Sequence, residues 1–155
     1  MQSFVQDRAE EAVALPSRRN VARVLLADSD LASRLTLRTL LATAGYAVDC
    51  AATSGEALAQ LDSYEYQLVL ADLRTESDES GAQLLAYARQ KDFHPATALL
   101  SSDLSEMEPT SAERRAPQSV VRMSDENVSY LLARVAELIS ERADRRIRRT
   151  LSRAS

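Results

Sequence analysis

Val24-Leu25-Leu26-Ala27, closed by Asp28-Ser29-Asp30, and Gln67-Leu68-Val69-Leu70-Ala71, closed by Asp72, decide the fold of this chain. Both runs are short, rich in branched residues and without polar alternation, as strands buried on both faces require. Between them lie a helical pattern, a further strand and a second helical pattern. That order describes a parallel α/β sheet, in which ligands sit at the carboxyl ends of the strands. Asp28 and Asp72 stand at two such ends. Two strand-end carboxylates meeting in one crevice make a site for a hard divalent cation, and for phosphoryl transfer to a carboxylate.

Working outward, Arg23–Ala27 reads as the first strand and Leu31–Ala44 as a helix. Asp30 is its N-cap and Gly45 its stop. Leu31, Leu35, Leu37, Leu40 and Leu41 are its apolar positions. Tyr46–Ala51 is the second strand. The next helix opens on Thr53-Ser54-Gly55-Glu56, a capping-box pattern, carries Ala57, Leu58 and Leu61, and ends near Tyr64. After the strand Gln67–Ala71 comes a polar, acidic loop, Leu73–Ser80. A helix over Gly81–Gln90 and a strand over Thr97–Leu100 follow. Asp103–Gln118 is the least legible stretch, because Pro109 and Pro117 limit any helix there. Ser119–Arg122 is the fifth strand. The last helix starts near Asp125–Val128 and presents Val128, Leu131, Leu132, Val135, Leu138 and Ile139 at helical spacing. It runs on through the arginines to about Ser152. Five β-α units with right-handed crossovers make a doubly wound sheet with helices on both faces.

The chain has 155 residues, 45% of them hydrophobic, enough for one domain with a real core. The expected division is an N-terminal tail or extra helix over 1–20 (Asp7–Leu15, ended by Pro16), a core domain over 21–140, and a basic helical extension or tail over 141–155. No apolar stretch is long enough to span a membrane, and Met1–Asn20 lacks the apolar block of a secretory signal. Cys50 is the sole cysteine, so no internal disulfide forms, and a reducing, cytoplasmic setting is expected. The net charge of −4 gives no general pull toward nucleic acid. The basic run Glu141–Arg149 reads by default as a solvated helix face. Three glycines and one histidine leave little material for a phosphate-binding loop, a zinc motif or a nucleophilic triad.

From Ala22 to Ile139 the chain resembles a receiver domain of the two-component response-regulator family. The resemblance rests on RVLLADSD (23–30), LRTLLATAGYAV (37–48), Ala52-Thr53-Ser54-Gly55-Glu56-Ala57-Leu58, YQLVLADLR (66–74) and LLARVAELI (131–139), in that order and spacing. It implies a flavodoxin-like five-stranded parallel sheet. It also implies that Asp72 accepts a phosphoryl group from a sensor histidine kinase or phosphotransfer protein, and that the change switches contacts with a downstream protein partner. Mg²⁺ would be held by Asp28, Asp72 and the backbone carbonyl of Arg74. Ser101 would supply the hydroxyl that turns toward the phosphoryl group, with a one-residue shift making it Ser102, and Arg122 would stand where the family has a lysine. Such domains are not enzymes beyond self-phosphorylation from a phosphodonor and self-dephosphorylation. They often form a homodimer through the last two helices and strand five.

The departures from the family pattern carry information too. Two adjacent acids usually follow the first strand. Here Ser29 is the second, able to reach a metal only through water and bringing no charge, so Mg²⁺ binding should be weak. The strand-five lysine and the proline after it are replaced by Arg122 and Met123, and arginine's planar fork is not equivalent to an ammonium. The one lysine, Lys91, lies in the turn before strand four and cannot substitute. Ser119 occupies the aromatic switch position. These departures support a second reading, a phosphate-independent pseudo-receiver that acts as an interaction module. A third, remote reading takes Asp28-Ser29-Asp30 as the Asp-x-Asp of a haloacid-dehalogenase-type phosphatase.

Overall fold

Each apolar run forms the strand its pattern predicts, and the sheet is parallel throughout. The computed structural model describes residues 21–72, 79–101, 119–122 and 128–154, with the backbone alone for Ser101, Ser119–Arg122 and Ala154. The strands are β1 (Arg23–Asp28), β2 (Ala47–Ala51), β3 (Leu68–Asp72), β4 (Ala96–Ser101) and β5 (Ser119–Arg122). The described helices are α1 (Leu31–Thr43), α2 (Ser54–Ser63), α3 (Ser80–Arg89) and α4 (Val128–Ala154). Strand order is β2-β1-β3-β4-β5. This is the doubly wound sheet that the alternation of elements implies. The expected N-terminal helix over Asp7–Leu15 and the stretch Asp103–Gln118 fall outside the described residues.

Strand residues alternate between two cores. Leu25, Ala27, Val69 and Ala71 pack under α2 and α3, against Leu61, Leu84 and Leu85. Val24, Leu26, Leu68 and Leu70 pack under α1 and α4, against Leu37, Leu41, Leu131, Val135 and Leu138. With helices on both faces, β1 and β3 have no wet side, which is why their sequences show no period of two. Cys50 is half-buried in β2, where burial raises its thiol pKa, consistent with a packing role.

The helix ends follow their local chemistry. The Asp30 carboxylate accepts the Ser33 N–H at 2.8 Å and caps α1. Gly45, just past the other end, sits at φ +106°, a conformation an L side chain resists. Thr53 Oγ1 accepts the Glu56 N–H at 3.1 Å at the start of α2. The return bond of this capping box is displaced: Glu56 accepts from the Ala52 N–H at 2.9 Å rather than from the cap residue.

Two readings are corrected. Leu31 and Leu35 are not core residues of α1 but stand 58% and 49% exposed, because the helix turns Leu37 and Leu41 inward. The basic run is not wholly a solvated face either. Arg142 is buried; its Nη2 donates to the Phe93 carbonyl at 2.6 Å and its Nε to the His94 carbonyl at 3.0 Å. It thereby ties α4 to the turn between α3 and β4.

Candidate functional site

The parallel ladder brings the two sequence-singled acids side by side. β1 and β3 run in register from Val24↔Leu68 to Asp28↔Asp72, so the carboxylates close adjacent strands at the same level. Alternation assigns both to the side of the sheet covered by α1 and α4. The Ser29 N–H donates to the Asp72 carbonyl at 3.4 Å, carrying the ladder one step beyond the strands.

The surroundings of Asp28 are asymmetric. The residue is 1% exposed. Oδ1 accepts the Asp30 N–H at 3.0 Å, while Oδ2 is buried with no hydrogen-bond partner. Its backbone carbonyl accepts from Arg34 Nη1 at 2.8 Å. A buried carboxylate oxygen without a partner carries a desolvation cost that a folding-only site would relieve. Asp72 is half-buried beside it. Asp30, one residue further along, is committed to the cap of α1.

The other predicted site residues are placed in part. Ser101 ends β4 and Arg122 ends β5, and the two are Cα partners across the last ladder. All four strand ends therefore lie along one edge of the sheet. Arg74, Ser102 and Met123 lie outside the described residues. Among the described residues no group of three histidine, cysteine or acidic side chains comes together.

Two residues that shape this end, Arg34 and Gly81, were not evident from sequence, and neither was Arg142. Arg34 holds the loop after β1 through the Asp28 carbonyl; its place four residues after the cap is the one available signal. Gly81 lies in the first turn of α3, where a Cβ would come 3.1 Å from Leu99 Cδ2 and 3.8 Å from Ala71 Cβ. Its lack of a side chain lets α3 seat against β3 immediately before Asp72. Arg142 acts at the opposite end of the sheet. Lys91 is at that end too, its Nζ 2.5 Å from Asp62 Oδ1, and it is spent on a surface ion pair.

No family model matches the chain, and no curated protein matches it. Solved structures do. A CheY-like response-regulator receiver domain protein from Methanospirillum hungatei is 25% identical, with a TM-score of 0.68 over 81% of this chain and 99% of that one. The response regulator TrrA from Thermotoga maritima, crystallised with Mg²⁺ and BeF, is 25% identical, with a TM-score of 0.63 over 76% and 99%. NtrX from Brucella abortus, in complex with ADP, gives a TM-score of 0.71 at 18% identity, over 84% of this chain and 29% of that one. The fold is that of the CheY-like response-regulator receiver domains these structures represent.

Proposed function

We propose that this receiver domain works as a signalling module whose Asp72 accepts a phosphoryl group with a weakly held divalent cation. The observation that carries the reading is Asp28 Oδ2, buried and unpartnered beside Asp72. Asp28 and Asp72 fit a hard, oxygen-seeking cation such as Mg²⁺, which keeps several of its waters and needs few carboxylates. Ser29 would serve such a water, and the backbone carbonyl of Arg74 would be the further ligand. The bound cation supplies charge neutralisation around the transferring group.

The chain's own residues do the rest. An Asp72 carboxylate oxygen forms the new O–P bond while the N–P bond of the donor phosphohistidine breaks, and the imidazole nitrogen leaves with the bonding pair. Ser101 and Arg122 end the neighbouring strands; in this reading they would serve the phosphoryl oxygens, and an arginine can pair with two oxygens at once where the family's lysine offers a point charge. The product charge at Asp72 then biases the loops above the sheet and the surface that a downstream partner reads.

Intact mass after incubation with acetyl phosphate and Mg²⁺ tests this. One added phosphoryl group, absent from Asp72→Asn, is expected. No gain from folded protein sinks the phosphoacceptor reading. The phosphate-independent interaction module then stands, the reading favoured by Ser29 and Arg122.

A further inference from the structure

The last helix is 27 residues long, and its second half touches the body on one side only, through Arg142 and through Arg146 Nη1, 3.4 Å from the Phe93 carbonyl. From Ala143 to Arg153 every residue is exposed. A solvated helical piece of this length is marginal by itself. This one also crowds like charges at i, i+3 and i+4, through Arg145, Arg148, Arg149 and Arg153.

On the side of α4 turned away from Leu131, Val135, Leu138 and Arg142 runs an exposed stripe: Ala136, Ser140, Ala143, Ile147 and Leu151. Spacings of four, three, four and four keep it on one face. Its large members come last, Ile147 at 57% and Leu151 at 65% exposure; its small members come first. Charge is divided in the same way. Glu137 and Glu141 belong to the first half and share one arginine, Arg134, at 3.3 and 3.9 Å. The arginine excess belongs to the second half.

We infer that α4 pairs antiparallel with the α4 of a second copy of this chain through this stripe. With the two-fold axis between Ala143 and Asp144, Ile147 of one copy lies over Ser140 of the other, and Leu151 over Ala136. Large side chains meet small ones at both ends of the contact, with Ala143 of each copy beside the axis, so the helix axes stay close. The same register sets Glu141 level with Arg146 of the other copy and Glu137 level with Thr150, next to Arg149, so acids lie among bases. A parallel pair does neither. It sets Ile147 on Ile147 and Leu151 on Leu151 at one end, alanine on alanine at the other, and arginines on arginines. The receiver bodies lie on the outer faces of the two helices, at opposite ends. The pairing stands apart from the chemistry at Asp72.

Sedimentation equilibrium of the full chain, with circular dichroism as the folding control, tests the pairing. A concentration-dependent dimer is expected, and Ile147→Glu with Leu151→Glu should raise its dissociation constant at least ~10-fold while leaving the fold intact, since both side chains are exposed. Orientation is read in a Cys50→Ala background by mixing Ser140→Cys and Ile147→Cys chains under mild oxidation. A 140–147 cross-link between copies supports the proposal. A dominant 147–147 cross-link, a monomer at all concentrations, or a dimer indifferent to the double glutamate variant overturns it.

Discussion

The two ends of the sheet treat their polar groups in opposite ways. Where the strands begin, charge is matched and satisfied. Asp49 Oδ2 accepts from Arg23 Nε at 3.1 Å and from the Tyr66 hydroxyl at 2.7 Å. The Arg23 guanidinium lies 4.5 Å from the centroid of Tyr64. Arg142 serves two carbonyls. Where the strands end, Asp28 is as buried as any core residue and leaves an oxygen without a partner. A satisfied network holds the fold; an unsatisfied buried acid costs stability and is the feature on which the proposed cation site rests. The first end reads as scaffold and the second as site.

Substitutions should separate these roles, beginning with the largest effect. Arg142→Ala strips two buried carbonyls of a charged donor and frees α4 from the α3–β4 turn; a loss of about 3 kcal/mol in denaturant unfolding is expected. Asp49→Ala leaves Arg23 and the Tyr66 hydroxyl without their shared acceptor and should cost about 2 kcal/mol. At the other end the sign reverses. Asp28→Asn keeps the acceptor for the Asp30 N–H and removes the unpartnered anionic oxygen, so it should stabilise the free protein by about 1 kcal/mol. If Asp28 holds Mg²⁺ as proposed, wild-type melting temperature should rise with Mg²⁺ and that of Asp28→Asn should not. A destabilised Asp28→Asn would break the contrast and make Asp28 part of the scaffold.

The smallest effect is a pH slope. Burial, then the hydrogen bond to and charge of Asp49, push the Tyr66 hydroxyl well above the ordinary tyrosine range. The folded state therefore keeps this proton longer than the unfolded chain. Its contribution is whole below about pH 10, where free tyrosine ionises, and is lost as the pH rises beyond that. Thermal melts should fall across this alkaline window, and Tyr66→Phe should flatten the slope.

Much of the scaffold was legible because it is local. The runs at β1 and β3 announce strands covered on both faces, and Asp30 and Thr53 announce helix starts, since a cap needs only its own next three residues. The pairing of Asp28 with Asp72 was legible as a consequence of strand ends sharing an edge. Arg142 was not, because in sequence it is one arginine among many, and its carbonyl partners lie 48 and 49 residues away. Leu31 and Leu35 misled for the related reason that an apolar side chain on a helix is core only if another element covers it.

By itself, the sequence determined the element types, their order and the acids that close β1 and β3, since periodicity and capping are short-range properties of the chain. Tertiary structure alone decided the order β2-β1-β3-β4-β5 and the Asp28↔Asp72 register. It also decided which oxygen of Asp28 is left without a partner, which arginine is buried, and which face of α4 is left bare. Each of these depends on what a distant segment brings to within a few ångströms, and no local pattern encodes that.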